Sequence, residues 1–192
     1  ANAAGPLKSP LTGSVTKLDD RIERHIENVM ALDLVNVDAI RELRPKVVID
    51  AINGAGSEAL PAFLERIGCE VIPLNCNNDG NFVHTPEPLP ENLMELRKTV
   101  SRTGADIGIA TDPDADRLAV IDAVGNPLVE EYTLVLAAYH ALRHAAEDDR
   151  RPLVTNLSST KALDDLAERY GRRVLRTPVG EIHVARNMQQ LD

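Results

Sequence analysis

The chain has 192 residues, 43% of them hydrophobic and 3% aromatic, and a formal net charge of −9. That is enough apolar material for one domain or two small ones, and the acidic balance excludes the basic face that nonspecific nucleic-acid binding or attraction to anionic membranes calls for. With no secretory signal pattern, no apolar run long enough to span a bilayer, and two cysteines without the paired spacing of a zinc site, the expectation is a reduced cytoplasmic protein in which Cys69 fills core space and Cys76 is an incidental loop thiol.

In chain order, residues 1–19 begin as small, polar sequence (ANAAGPLKSPLTG) and read as a linker or the remnant of a preceding domain. A helical pattern follows, with Ile22, Ile26, Val29 and Met30 on one face. From Lys46, KVVIDAI reads as a strand, NGAGS as a tight turn, and SEALPAFLERIG as a helix stopped by Gly68. CEVIPL is a second strand, NCNNDGNFVHTPEP a long polar loop, ENLMELRKTVSRTG a helix and ADIGIA a third strand. After an acidic stretch, LAVIDA resumes strand character, VGNP turns, and EYTLVLAAYHALRHAAE forms a long helix with Leu134, Ala138 and Leu142 inward. The charged break EDDRRP ends this unit, and a new cycle opens with PLVTNL, STKALDDLAERYG, RRVLRT and PVGEIHVARNM. The alternation predicts an α/β fold with a mixed, largely parallel sheet covered by helices over 20–148 and a second, incomplete α/β unit over 149–192. The last segment, EIHVARNMQQLD, stops inside a helical pattern without a closing turn, so sequence is expected beyond both ends.

The acidic stretch carries the chemistry. IATDPDADRLAV, residues 109–120, sets Asp112, Asp114 and Asp116 at alternate positions directly after the third strand. In parallel α/β sheets, ligands gather at the carboxyl ends of strands, and an extended or turned loop can aim alternate side chains at one centre. Three hard oxygen ligands favour magnesium over softer metals; the competing reading is a solvated acidic turn. An EF-hand is excluded, because its sixth and twelfth positions hold Arg117 and Ala123 in place of glycine and glutamate. An aspartyl-nucleophile phosphatase, which also places Asp-x-Asp after a buried strand, remains an alternative, as does a non-catalytic metal-binding α/β module.

TDPDADR, residues 111–117, resembles the metal-binding loop of the α-D-phosphohexomutases, the family of phosphoglucomutase, phosphomannomutase and phosphoglucosamine mutase. VVIDAINGAG, HTPEPLPENL, ADIGIATDPDADRLAVID, the EEYTL helix start and RTPVGEIHVARNM resemble the family in the same order, over nearly the whole chain from about Asp20. The similarity is to the second of four domains and the opening of the third. It implies Mg2+-dependent, reversible phosphoryl transfer between the 1- and 6-positions of a hexose phosphate through a hexose bisphosphate intermediate. By position, Asp112, Asp114 and Asp116 are the expected metal ligands, Arg117 the expected catalytic stabiliser of phosphate, and Arg176 an expected substrate-binding residue. The family's catalytic serine segment has no counterpart here, so the phosphoryl donor is expected on the missing domains of the same parent chain and this chain alone is expected to be inactive. Ser158 and Ser159 read as helix caps, NGAGS as a turn set by strand-to-helix geometry or as a phosphate cradle, and Asp50 as a local cap or pair. His140 and His144 read as surface histidines lacking a third ligand, leaving His84 as the histidine to inspect near a site. RTPVGEIHVARNM inclines the sugar towards phosphoglucosamine or phosphomannose.

Overall fold

The computed structural model describes Ser14 and residues 16–191. Most of the expected N-terminal linker therefore lies outside the described residues. Two helices, α1 (Arg21–Met30) and α2 (Val37–Leu43), precede the first strand. The second of them falls outside the elements expected from sequence: it is a two-turn helix whose Asn36 side chain caps the Ala39 N–H at 3.0 Å and whose Arg44 closes it in the left-handed region.

The first sheet has the order β2-β1-β3-β4, built from β1 (Lys46–Asp50), β2 (Glu70–Leu74), β3 (Ile107–Thr111) and β4 (Leu118–Asp122). β1 pairs in parallel with β2 and β3, and β4 returns antiparallel to β3, so the sheet is mixed and largely parallel as expected. Alternation along β1 explains why both faces are covered. Val48 joins a core with Leu93, Leu96, Val100 and Ile121 beneath α4 (Met94–Thr103). Val47 and Ile49 point the other way and meet Leu64 and Ile67 of α3 (Gly56–Arg66) and its following turn, with Met30 and Ile40 of the first two helices packed behind. Gly108 is required on β3: a Cβ there would stand 2.6 Å from Val100 Cγ2, so α4 packs directly on the strand backbone.

The long helix α5 (Tyr132–His144) leads to a second sheet of two parallel strands, β5 (Leu153–Asn156) and β6 (Val174–Thr177), joined by α6 (Ala162–Arg169) and followed by α7 (Glu181–Gln189). On α5, Leu142 is buried as expected, whereas Leu134 is exposed and lines a cleft described below. Tyr139 of α5 meets the ring of Tyr170 edge-on at 6.3 Å, tying the helix to the end of α6. Both cysteines are free and half-buried; Cys69 lies just before β2, not on it. Among the described residues no helix is long and apolar enough to cross a membrane.

Candidate metal centre

Residues 112–117 connect β3 to the antiparallel β4, and Asp112 shapes that connection. It is buried, and its Oδ1 accepts the backbone N–H of Asp116 at 3.1 Å and of Arg117 at 3.0 Å. Its Oδ2 accepts Nε–H of Arg117 at 2.9 Å. Ala115, with φ 62°, supplies the left-handed step that folds the loop back, and its N–H closes onto the Asp112 carbonyl at 3.1 Å. This small residue between two acidic ones is where the loop reverses.

The reversal brings together what the sequence separates. One carboxylate oxygen from each of Asp112, Asp114 and Asp116 lies within 4.8 Å of the others, with Asp112 buried and the other two exposed. Adjacent ligand oxygens on an octahedral magnesium ion stand about 3 Å apart, so the two exposed carboxylates would have to draw in toward Asp112 to share one ion. The electrostatics agree. Asp114 first and Asp112 second push the Asp116 carboxyl above its ordinary value through like-charge repulsion. For Asp112, burial raises the pKa, but the hydrogen bonds from Arg117 and Asp116 outweigh it and hold the carboxyl below the usual range. The Asp112 hydrogen bond, the largest influence, raises the Arg117 guanidinium despite partial desolvation. Arg117 is 41% exposed at its side chain, and beyond Nε its guanidinium makes no hydrogen bond among the described residues.

Asp116 and Arg117 line one wall of an open cleft of roughly 670 Å³, and Asn156, Ser158, Ser159 and Thr160 line the other. Arg176 stands behind that second wall. Its Nη1 donates to the carbonyls of Asn156 at 3.1 Å and Ser159 at 2.9 Å, and its Nη2 to the Thr160 carbonyl at 3.2 Å and to the Asp164 carboxylate. Both terminal nitrogens are thus committed to holding the β5–α6 loop. Ser158 and Ser159 are not caps: their hydroxyls donate to Asn156 Oδ1, at 2.7 and 3.4 Å, and the N-cap of α6 is Lys161, without a side-chain cap; Thr160 Oγ1 accepts the Ala162 N–H at 3.2 Å just ahead of the helix. The NGAGS turn does not open toward the cleft as a phosphate cradle: its Ala55 N–H donates to the Pro113 carbonyl of the acidic loop at 2.8 Å. His140 Nε2 lies 2.8 Å from the Leu34 carbonyl, and among the described residues neither it nor His144 joins a three-ligand group. His84 faces Asp50 at 3.2 Å, a pairing that 34 residues of separation hid from any local pattern.

The family model for phosphoglucomutase/phosphomannomutase alpha/beta/alpha domain II matches residues 23–125, and that for domain III matches residues 130–192. The chain belongs to the phosphoglucomutase/phosphomannomutase family. It is 42% identical over 169 residues to a phosphoglucomutase/phosphomannomutase of Thermococcus kodakarensis, covering 88% of this chain and 36% of the relative. A phosphopentomutase of the same organism is 39% identical over 143 residues, covering 74% and 31%. Among solved structures, a phosphoglucomutase/phosphomannomutase family protein from Burkholderia thailandensis superposes with a TM-score of 0.74 at 28% identity, covering 88% of this chain and 36% of that one. The chain spans about a third of the length of these family members.

Proposed function

We propose that this chain supplies the metal seat and one wall of the substrate cleft of a phosphohexomutase, with Asp112, Asp114 and Asp116 holding Mg2+. The observation that carries the reading is the convergence of the three carboxylates within 4.8 Å in a loop whose next residue is a guanidinium with unused donors. When bound, the ion supplies positive charge to the oxygens of a transferring phosphoryl group. The protein's own residues do the rest. Asp112 fixes the loop and orients Arg117 through Nε, which leaves the terminal N–H groups of Arg117 for phosphate oxygens in the cleft. Arg176 serves the substrate through the carbonyls of Ser159 and Thr160, keeping the opposite wall in place. The phosphoryl donor is a serine outside these 192 residues, so the chain alone turns over nothing.

The aspartyl-phosphatase alternative fits less well. Three carboxylates converge here beside a guanidinium, where that chemistry calls for one nucleophilic aspartate and one acid partner.

We assign the substrate to hexose phosphates and place the choice of sugar outside this chain, since two relatives from one organism with near-equal identity bear hexose and pentose names. Calorimetry with Mg2+ on the chain and on Asp114→Asn tests the seat: binding lost in the variant is expected, and equal heats in both remove the loop from the metal reading. Turnover of hexose 1-phosphate to 6-phosphate by the whole protein, assayed beside a pentose phosphate, tests the substrate class; a strong pentose preference defeats it.

A further inference from the structure

At the carboxyl end of β1 the backbone takes a course that ordinary residues avoid. Ile52 and Asn53 are both left-handed, at φ 48° and 57°, and both are almost wholly buried. For a β-branched residue this region is a true outlier, and such a conformation persists only where its surroundings over-determine it.

The end of β1 and the loop after β2 do so here. Asp50, 1% exposed, accepts the Ile52 N–H on Oδ1 at 3.0 Å, and on Oδ2 it accepts from Asn75 Nδ2 at 3.0 Å and faces His84 Nε2 at 3.2 Å. The other ring nitrogen of His84 lies 2.9 Å from the Thr85 carbonyl, which fixes the imidazole in its loop. Asn53 then takes the Asn77 N–H on Oδ1 at 2.9 Å and donates from Nδ2 to the Asn81 carbonyl at 2.9 Å. The long polar loop after β2 is therefore wound around this one turn.

The turn delivers Gly54 and Ala55 to the acidic loop. A Cβ on Gly54 would stand 2.5 Å from the Pro113 carbonyl oxygen and 2.8 Å from its Cα, so the two backbones touch and only glycine fits. Ala55 N–H donates to that same carbonyl at 2.8 Å. Pro113 is the residue between Asp112 and Asp114.

We propose that Asp50, His84 and Gly54, none of which offers a ligand to the metal seat, are positioning residues that set the spacing of Asp112 and Asp114 through Pro113. Outer partners of metal ligands typically govern affinity by about ten- to a hundredfold. Here the partner is a backbone contact, relayed from a carboxylate and an imidazole through a turn. Only the affinity part of the test rests on the magnesium reading.

The experiment uses the full 192-residue chain and reads two quantities: amide chemical shifts of the acidic loop without metal, and the Mg2+ dissociation constant. Gly54→Ala should displace the amides of residues 112–117 and weaken Mg2+ by about tenfold or more. His84→Phe, which removes the tie to Asp50, should do the same to a smaller degree, and His84→Gln, whose amide can donate to Asp50 again, should restore both. Loop amides and affinity at wild-type values in Gly54→Ala and His84→Phe overturn the proposal, as does a lower melting temperature in folded variants with the loop unmoved. Should Gly54→Ala fail to fold, the His84 pair decides alone: Phe displaced and Gln restored supports positioning, and Phe indistinguishable from wild type overturns it. A wild type that binds no Mg2+ while His84→Phe still shifts the loop refutes the metal reading and leaves the positioning intact.

Discussion

The two α/β units use the same local grammar and reach different degrees of closure. In the first, four strands let β1 and β3 sit inside a sheet, and Val47, Val48, Ile49 and Ile121 are all at most 2% exposed. In the second, two strands leave every position of β5 and β6 except Thr155 and Thr177 only half-buried, and α7 buries no residue. Leu163 and Ala167 of α6 are buried, but Leu157, Val179 and Ile182 face outward. A helix or strand pattern is therefore a statement about which face can be buried, and sheet completeness decides whether it is. The cleft lies where the well-closed unit meets the open one, so an acidic loop held by Asp112 faces a wall held by Arg176.

The comparison breaks most sharply at catalysis. In the whole protein, Arg117→Ala on the closed unit should lower turnover by on the order of a hundredfold or more, with Arg117→Lys recovering only part, because an ammonium keeps the charge but not the two-pronged geometry. Arg176→Lys on the open unit should act more mildly, through binding of the sugar phosphate, since the residue reaches the cleft through carbonyls; steady-state kinetics separating kcat from KM checks both. Equal losses from the two would mean that the second wall takes part directly in the chemistry.

Stability supplies a smaller contrast. Ile121→Ala empties a site in the core beneath α4 and should cost about 2–5 kcal/mol in denaturant unfolding, whereas Ile182→Ala, 55% exposed before substitution, should stay within about 0.5 kcal/mol. Amide exchange should follow the same order, with β1 and β3 protected well beyond β5 and β6.

Acid gives the smallest and most local effect. Asp149, at the junction, is hydrogen-bonded by Arg151 and Arg172, which hold its carboxyl well below the usual carboxylate range. The folded value is depressed, so the stabilisation is complete above the unfolded value near about 3.9 and is lost as pH falls through the folded one. Asp149→Asn should lower the second unit's stability near pH 7, where that stabilisation is complete, and flatten its further loss below about pH 4. A pH profile identical to wild type would show that the junction is held by packing alone.

The strands were legible because their apolar runs match what they bury: KVVID, EVIPL, IGIAT and LAVID became β1 to β4 with shifts of a residue or two at their ends. The acidic triplet was legible for a related reason, since its alternate spacing and its place after a buried strand are both local. The inward face assigned to Leu134 failed because the helix it belongs to borders a cleft, which periodicity does not report. Arg176 is expected near the substrate by family position, and its partners within the chain, 12 to 20 residues away, have no local sign in the sequence. Asp50 and His84 each stand out in the sequence, yet nothing local joins them, as their meeting depends on how a long loop winds. Contacts made within five or six residues leave a pattern in the sequence; contacts made across a sheet leave only the residues.

The unequal burial of the three aspartates also sets a direction of traffic. Asp112 stands at the back of the seat with its charge answered by Arg117, while Asp114 and Asp116 stand in front, open to water. On the proposed reading, a cation would reach Asp112 past those two exposed carboxylates, of which Asp116 borders the cleft. On the proposed reading, a phosphate ester held by Arg117 would lie across that same approach, so the ion and the substrate would share one doorway.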